Sequence, residues 1–462
     1  MGVTYSDSTA AGQGGRGDLV TQISPSVQMT SRSGRVRGSL NYALSVYHHA
    51  RRYAGQGQTD SLQQSLAAAF NAELVPNTAF VDLGANVSQQ AISPFGQQSV
   101  DGRQANTNRT EVSTVSARPY VQGALGTLAT YQIGLSGQAT SAKDVGTADS
   151  RSSGANLALN SASSGLLGWG LSASRQRSQY NGGRATENDR VSANVSARPL
   201  PDVSVSLSGG KESTNVGNLT SQSYANWGAS AHWAPSQRTS VSLAVDKRYF
   251  GESYQLSVDH RFALASVRLS SSRDTSGGAT AGSQPVTIYQ LFFNQFASIQ
   301  PDPVLRDLLV RDFLQSLGQD PNAVVAGGFV RSGVTLQRHD DLSISYGGRR
   351  FTFTLQAFAS QTTFLDSPTP LQDNGLIRQS GFSTTASYRL TPTATVNLSG
   401  SQLRTASNAT QAGNELKSVA LSWSDQIGRR TSAGASARYS VFDSPTNPYH
   451  ETALSATLSM RF

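Results

Sequence analysis

The sequence alternates apolar and polar residues with a period of two along most of its length. The C-terminal segment shows this well, with one face formed by Leu454, Ala456, Leu458, Met460 and Phe462 and the other by Ser455, Thr457, Ser459 and Arg461. Side chains on a β-strand point alternately to its two faces, so this period predicts strands with one apolar and one polar face.

The same alternation recurs in segments that are far apart in the chain. Apolar residues share a face at positions 433, 435, 437, 439 and 441, at 351, 353, 355, 357 and 359, and at 191, 195 and 197. A soluble β-sandwich would also contain such strands, with the apolar face turned inward. The alternation therefore predicts strands but does not by itself place them in a membrane.

The lengths of the segments and of their connections favour a membrane. The predicted strands have about 10 to 15 residues, as a tilted membrane crossing requires, whereas soluble strands usually have about 5 to 6. Short turns are predicted at 33–35, 76–77, 125–126, 200–202, 234–236, 347–348, 391–392 and 427–428. Longer polar loops are predicted near 50–58, 93–107, 140–150, 212–221, 364–376, 404–414 and 443–449. Bacterial outer-membrane barrels have short periplasmic turns and longer outer loops.

The predicted fold is all-β, a single transmembrane antiparallel barrel over residues 1–462. About 21 strands follow from residue 19 onward, and a truncated first strand at residues 3–9 raises the number to about 22, an even number as in other single-chain bacterial barrels. We expect Leu458, Met460 and Phe462 to form the C-terminal signal for the barrel-assembly machinery. The first residues lack the basic and apolar regions of a signal peptide, so we expect Met1 to begin a mature or trimmed chain.

Two segments fit this pattern less well. In the first, Leu62, Leu66, Phe70 and Leu74 also have the spacing of one helix face, which leaves a helix as an alternative. In the second, residues 338–341 place charges on both faces of a strand. We expect that strand to rise above the membrane there, and a bulge or a functional charge cluster is the alternative.

Residues 283–328 form an insert without the period of two. Asp302 is suited to cap a helix, Pro303 to occupy its first position, and Gly318 to end it. The apolar residues of the insert are Phe292, Phe293 and Phe296 in a first run and Leu305, Leu308, Leu309 and Phe313 in a stripe along the helix. This stripe needs an apolar surface to cover it.

Strand parity places the insert on the extracellular side of the barrel, where three arrangements are open. It forms a helical hairpin packed on itself, a lid or plug that folds toward the lumen and narrows the pore, or an element that docks a partner. Because the apolar side chains would not stay exposed to water, we expect the insert to shelter them at the barrel mouth.

The composition is poor for a thick soluble core. Only 37% of the residues are hydrophobic and 14% are charged, with 43 glycines. Disorder would also produce such values, but a barrel needs only alternate apolar residues and keeps a polar lumen. The formal net charge of +8 favours anionic partners if the excess lines a channel. Because this excess is spread along the chain, we expect no nucleic-acid partner.

Catalytic and metal chemistry find little support. The chain has no cysteine, and its six histidines are mostly isolated. His48 and His49 are adjacent, but neighbours on a strand point to opposite faces and do not readily bind one ion. His260 beside Asp259 and His339 beside Asp340 are the only hints of an acid–base site. We therefore expect no enzyme, no metal site and no cofactor.

Four sequence segments resemble a known family. They are Gly17–Pro25, Ser88–Gly96, Asn108–Val112 and Pro301–Arg306, and the likeness extends over nearly the whole chain. They resemble outer-membrane proteins associated with the PEP-CTERM and exosortase system. The resemblance implies a barrel and, because members of the family occur with exopolysaccharide loci, a role in polysaccharide export or envelope assembly.

The leading hypothesis is a porin-like conduit or assembly component for an exopolysaccharide. Inward-facing Arg198, Arg268, Arg438 and Arg461 would attract acidic sugars. The alternative is a structural barrel that docks surface machinery and conducts nothing. A TonB-dependent receptor is disfavoured because we find no plug domain ahead of the first strand. Expected partners are outer-membrane lipid and lipopolysaccharide, an acidic polysaccharide or its export proteins.

Overall fold

The structure is a computed structural model of the 462-residue chain. It describes residues 1–10, 16–31, 34–50, 61–100, 106–143, 145–162, 165–276, 328–331, 333–366 and 375–460. Within the insert it also describes the separate residues Tyr289, Phe292, Phe293, Phe296, Arg306, Val310 and Leu314.

Nearly all of the described chain is β-structure. The first strands are β1 (Gly2–Ala10), β2 (Arg16–Ile23), β3 (Ser26–Ser31), β4 (Val36–His49), β5 (Ser61–Val75), β6 (Ala79–Ala91), β7 (Arg109–Leu125) and β8 (Ala129–Ala142). After a short 3₁₀ helix (Gly146–Ala148) come β9 (Ser150–Ser161), β10 (Leu167–Tyr180), β11 (Thr186–Leu200), β12 (Val203–Thr214), β13 (Gln222–Ser236), β14 (Thr239–Arg248), β15 (Gly251–Arg261) and β16 (Ala265–Ser276). The insert is followed by β17 (Val334–Gly347), β18 (Phe351–Asp366), β19 (Ile377–Arg389), β20 (Ala394–Thr405), β21 (Asn414–Asp425), β22 (Thr431–Asp443) and β23 (Tyr449–Met460).

These strands form one closed antiparallel barrel. Each strand pairs with its neighbours in sequence, and β1 pairs with both β2 and β23, which closes the sheet. Segments β2 and β3 both pair with β4 and continue one another across Ser24 and Pro25. Counting β2 and β3 as one interrupted strand turns 23 segments into 22 strands. The predicted fold and strand number are confirmed, and residues 3–9 lie in the closing strand.

The outer face of the barrel is apolar and its inner face is polar. On β12, for example, Leu207 is 68% exposed on the outer face, whereas the hydroxyl of its neighbour Ser206 accepts a hydrogen bond from Ser230 on β13. A closed barrel satisfies all backbone groups within the sheet and can therefore cross a lipid bilayer on such a face. The protein is located in the bacterial outer membrane. Within the described residues, no helix has the length and apolar character needed to cross a membrane.

The two ends of the barrel differ in the length of their connections. At one end the connections are short, for example 76–78, 126–128 and 348–350. At the other end most are longer, including 92–108, 367–376 and the insert, although 249–250 joins β14 to β15 in two residues. The end with the short turns is the periplasmic end, and the end with the longer loops is extracellular.

Three local predictions are settled by the strands. The helix alternative for residues 62–74 is wrong, because β5 pairs with β4 and β6 along this segment and turns Leu62 and Leu74 outward. The predicted turn at 234–236 is also wrong, because β13 continues to Ser236. Pro235 lies at a register irregularity, where its missing N–H costs no ladder hydrogen bond. Residues 338–341 continue β17 without the alternative bulge.

The bounds of the predicted helix in the insert lie mostly outside the described residues. Of the separate residues that are described, Tyr289, Phe293 and Arg306 are helical, and so are Phe292, Val310 and Leu314. The last three pack with Phe296 into a buried cluster, which Tyr289 and Phe293 also contact. Every described member of this cluster comes from the insert itself, as expected for a segment packed on itself.

Candidate functional site

An apolar row lies inside the extracellular mouth of the barrel. It consists of Leu403, Leu416, Phe442 and Tyr449, which are directly paired across β20, β21, β22 and β23. All four side chains are buried, and the rings of Phe442 and Tyr449 stack with centroids 5.4 Å apart. The next inward-facing residues toward the periplasm include Ser418 and Ser440, so the row interrupts an otherwise polar wall.

The β6–β7 loop covers this row, although β6 lies five strands away around the barrel from β23. Val100 packs against the apolar row, together with Phe358 from β18. The Tyr449 hydroxyl donates a hydrogen bond to the Gln98 carbonyl oxygen at 2.8 Å. The Asn414 amide donates to the carbonyl oxygens of Pro94 and Gly96 at 3.1 and 3.2 Å. We call residues 92–100 the first bridge because they reach across the mouth.

Internal hydrogen bonds hold the first bridge in shape. Asn108 accepts a hydrogen bond from the Ser93 backbone N–H at 2.8 Å, and its amide donates to the Ser93 carbonyl at 2.8 Å. A Cβ atom on Gly96 would lie 2.3 Å from Cγ of Asn108, so a larger residue here would have to push the Asn108 side chain aside. The bridge is therefore held in shape by its own hydrogen bonds and by the close packing of Gly96 against Asn108.

A second bridge joins β18 to the loops after β10 and β12. Arg184, in the β10–β11 connection, forms an ion pair with Asp366 at 2.8 Å and donates to the Asn215 carbonyl at 2.9 Å. A Cβ atom on Gly217 would meet the Leu365 carbonyl oxygen at 3.5 Å. These strands are not neighbours in the sheet, so this contact also crosses the mouth.

The chain leading into β17 contacts a third part of the rim. The Val330 N–H donates to the Ala91 carbonyl at 2.9 Å, and Phe329 forms an isolated parallel bridge with Ala91. Val330 also packs against the buried cluster around Val112 and Ala142. The extracellular mouth is therefore crossed from several directions by the chain itself.

The inner wall carries paired charges. Glu212 is fully buried, and both of its carboxylate oxygens accept hydrogen bonds from Arg248, the shorter at 2.6 Å. Arg248 also forms an ion pair with Asp274 at 3.2 Å, and Asn188 donates to Glu212 at 2.9 Å. Burial raises the pKa of Tyr249, in the adjacent connection, to about 12, so its hydroxyl stays neutral.

The arginines predicted to face the lumen are mostly neutralised. Arg268 forms an ion pair with Asp259, and Arg438 forms one with Glu451 at 2.9 Å. Arg198 is exposed beside a register irregularity at the turn end of β11. Arg461 lies outside the described residues.

The other predicted site residues fall into two groups. Leu458 and Met460 are exposed on the outer face of β23, while Phe462 lies outside the described residues. Within the insert, Phe292 and Phe296 are buried and Phe293 contacts them. The insert residues Asp302, Pro303, Leu308, Leu309 and Phe313 lie outside the described part of the chain.

Sequence reasoning missed the residues that close the mouth. The sequence feature that could have identified them is an apolar side chain at a position where alternation predicts a polar one. An example is Leu416, which lies on the same face of β21 as Ser418 and Ser422. Such side chains need a cover inside the lumen. The partner loop, however, is more than three hundred residues away from Asn414, and sequence alone does not identify it.

Within the described residues, no group of three or more histidines and carboxylates is arranged to hold a metal ion. The adjacent residues Asp259 and His260 point to opposite faces of β15, and Asp259 forms an ion pair with Arg268. His339 stacks on the ring of Phe358, with centroids 6.2 Å apart.

Comparisons with known proteins find likeness to solved structures only. No protein-family model matches the chain, and no curated protein matches it. The FrpB iron transporter from Neisseria meningitidis (F5-1 variant) is similar with a TM-score of 0.47 and 12% identity, covering 99% of this chain and 82% of that one. The ferric-catecholate import receptor Fiu from E. coli K12, in its open form, is similar with a TM-score of 0.45 and 10% identity, covering 99% of this chain and 81% of that one. A loop-deletion mutant of OmpT, an outer membrane protein of Vibrio cholerae, has a TM-score of 0.32 and 7% identity, covering 99% of this chain and 96% of that one. The assignment to the outer membrane rests on the closed barrel and its apolar outer face.

Proposed function

We propose that this barrel is a gated conduit for a hydrophilic polymer, serving exopolysaccharide export or envelope biogenesis. The observation that carries the proposal is the first bridge, which covers an apolar row on the lumen side of the mouth. A barrel of this size encloses a lumen too wide to be filled by its own wall side chains. Closure therefore has to come from loops or a plug, and loops provide it here.

The contacts of the first bridge are suited to a reversible gate. Among the described residues they include three hydrogen bonds, from Tyr449 and Asn414, and the packing of the partly buried Val100 against the apolar row. A typical intramolecular hydrogen bond contributes about 0.5–1.5 kcal/mol net. A gate held by individual hydrogen bonds and by apolar packing can open while the barrel wall keeps its ladder of backbone hydrogen bonds.

The inner wall offers the groups that bind carbohydrate. A shallow recess of about 290 Å³ in the wall is lined by the polar residues Ser196, Ser204, Ser206, Ser230, His232, Ser242, Gln255 and Ser257, together with Val205, Ala231, Leu243 and Ala244. Displacing the first bridge would also uncover Phe442 and Tyr449, whose rings can then stack on sugar rings. A polar wall with aromatic rings at its exit supports a carbohydrate polymer as the cargo, in agreement with the family resemblance.

Conductance measurements in planar bilayers test the gate. The change Val100→Asp places a carboxylate against the apolar row and should displace the bridge, which raises the single-channel conductance or the fraction of time spent open. The matched control is Leu219→Asp, which adds the same charge to the β12–β13 loop, where Leu219 is 91% exposed. The control should behave like the unmodified protein.

The alternative is a structural barrel that docks surface machinery without conducting. The contacts that described loops make with one another and with distant strands at the mouth are the observation that favours it. If neither the unmodified protein nor Val100→Asp carries ionic current, while loss of the protein still abolishes surface polymer, the conduit proposal fails and the docking role takes its place.

A further inference from the structure

The periplasmic end of the barrel carries an excess of exposed arginines. Within two residues of the periplasmic strand ends, or in the turns between them, lie Arg35, Arg37, Arg198, Arg238, Arg261, Arg349, Arg350, Arg389, Arg429 and Arg430, all of them exposed. The described carboxylates in the same positions are Glu73, Asp202, Asp259 and Asp425. We call these arginines the periplasmic collar.

Among the described residues, no arginine of the collar forms an ion pair with a carboxylate. Of the nearby carboxylates, Asp259 is paired with Arg268, while Asp202 accepts from the Trp233 indole at 3.3 Å and Glu73 accepts from the Asn77 backbone N–H at 2.5 Å. With ten arginines against four carboxylates, the collar carries an excess of positive charge.

The extracellular half of the barrel is built differently. There several arginines on the strands and loops form ion pairs, as in Arg184 with Asp366, Arg248 with Glu212 and Arg438 with Glu451, and the carboxylates are more numerous than at the periplasmic end. On the outer face, Arg175 and Arg177 lie within 3.7 Å of Glu187. The net positive charge of the chain is consequently concentrated at one end.

Strand parity places three arginines of the collar at the lumen opening rather than on the lipid side. Arg261 has the same parity on β15 as Asp259, whose ion pair with Arg268 lies on the inner wall. Arg389 shares the face of the buried residues Gln379 and Ser387 on β19. Arg37 likewise shares the inner face of β4 with Tyr47 and His49. These three side chains belong to the rim of the pore.

We infer that the periplasmic collar captures a polyanionic carbohydrate and that this polymer enters the barrel from the periplasmic side. The inference rests on the proposed conduit and adds to it the charge class of the cargo and the direction of loading. Guanidinium groups bind carboxylate, sulfate or phosphate oxygens in a planar, bidentate geometry. A ring of them at a low-dielectric opening raises the local concentration of a polyanion.

The distribution of charge also gives the polymer a direction. Beyond the collar, the described inner wall presents mainly hydroxyl and amide groups and ion pairs such as Arg268 with Asp259 and Arg438 with Glu451, which hold an acidic sugar weakly. A chain captured at the periplasmic rim can therefore slide on without meeting a second tight site. A barrel with the same excess of arginines at both ends would capture the polymer equally at each end and would give it no direction.

Side-specific block of ionic current tests the inference. Oligogalacturonate, an acidic sugar polymer, is added to each side in turn of a bilayer into which the protein has inserted in one orientation, using the open Val100→Asp variant. We expect block from the periplasmic side at a concentration at least about tenfold lower than from the other side, and loss of that block in molar salt, which screens exposed charges. Neutral maltodextrin of the same length should show no preference for either side.

Two variants that each lose three positive charges separate the effect of the collar from the effect of net charge. The triple change Arg37→Gln, Arg261→Gln and Arg389→Gln should weaken periplasmic block at least about tenfold. The control removes Arg175, Arg177 and Arg404, which have outward parity near the extracellular end, and should leave block unchanged. Equal block from both sides, or equal loss in both variants, would overturn the inference while leaving the conduit intact.

Failure of the conduit can be told apart from failure of the collar. If no variant carries current, binding of fluorescent oligogalacturonate to the detergent-solubilised protein replaces the block measurement. Binding that the collar variant loses and the control retains supports the collar. Absence of binding, or capture of an acidic periplasmic protein instead of the polymer, overturns it.

Discussion

The hydroxyl of Tyr449, on the strand that completes the barrel, donates a hydrogen bond to the carbonyl oxygen of Gln98, 351 positions earlier in the chain, at a distance of 2.8 Å. The bond links the wall at β23 to a loop that starts five strands away around the rim. Phe442 stacks on the same tyrosine ring, and Val100 packs beside it. Tyr449 therefore combines the polar and apolar contacts that hold the first bridge down.

Removing only the hydroxyl should loosen the bridge without removing the ring. We expect Tyr449→Phe to shift the balance between closed and open channels toward the open state by about 0.5–1.5 kcal/mol, a factor of about 2 to 13 in the ratio of their dwell times. Single-channel recording measures this ratio. Tyr388→Phe, on the outer face where Tyr388 is exposed, is the matched control and should leave the ratio unchanged. Unchanged dwell times in Tyr449→Phe would show that the bond does not hold the gate.

A second change disturbs the bridge from within. In Gly96→Ala the new methyl group would collide with the side chain of Asn108, 2.3 Å from its Cγ atom, and must displace it. That displacement breaks the hydrogen bonds between Asn108 and Ser93. We expect faster proteolytic cleavage within residues 92–108, because cleavage follows local opening of a segment. Gly137→Ala, where a Cβ meets no atom within 4 Å, should be cleaved at the original rate.

The barrel was predictable because alternation and connection length are local properties of the sequence. Pairs such as Leu458 with Ser459 reveal two faces without any knowledge of the neighbouring strands, and short turns at 76–77 and 347–348 mark one end of the barrel. Alternation fails at Pro235, because a strand can tolerate proline at a register irregularity. Alternation also does not show which apolar side chains on the lumen face are covered by a loop.

The candidate site was much less predictable, because it depends on long-range pairing. Alternation predicts that Arg268 and Arg438 face the lumen, but their carboxylate partners Asp259 and Glu451 are set by strand register. The contact between Asn414 and the first bridge depends on the closure of the whole barrel. Sequence patterns indicate which face a residue occupies, and only the folded barrel shows which loop crosses to meet it.

The ion pair between Glu212 and Arg248 should contribute strongly to stability, since it is buried and bidentate. Glu212→Ala leaves the guanidinium with only the more exposed Asp274, and we expect a loss of about 3–5 kcal/mol. Guanidinium chloride unfolding in lipid vesicles measures this loss. Replacing both partners, as Glu212→Leu with Arg248→Met, should cost less than the single change, and this double variant keeps the test informative if Glu212→Ala does not fold. Glu187→Ala breaks an exposed pair and should cost about 0–1 kcal/mol.

Substitutions at different depths on the outer face test the position of the membrane. Leu207 lies four residues above the pair formed by Val203 and Trp233, where an exposed indole marks the periplasmic edge of the apolar band. Four residues of a tilted strand rise about 10 Å, close to the middle of a band about 25 Å tall. Leu207→Arg should therefore reduce the stability of the folded barrel in vesicles by about 2–4 kcal/mol.

Two controls separate depth from charge. Leu458 faces lipid two residues before Met460 and lies at the periplasmic edge, where its backbone N–H donates to the Met1 carbonyl oxygen at 2.9 Å. Leu458→Arg should consequently cost only about 0–1 kcal/mol, because the guanidinium reaches water there. Ser206→Arg, next to Leu207 but inside the wet lumen, should also be tolerated. Unfolding free energies in vesicles, together with heat-modifiable migration on gels, measure all three variants. Equal losses in Leu207→Arg and Ser206→Arg would show that the assigned faces are wrong, because only a lipid-facing arginine loses its contact with water.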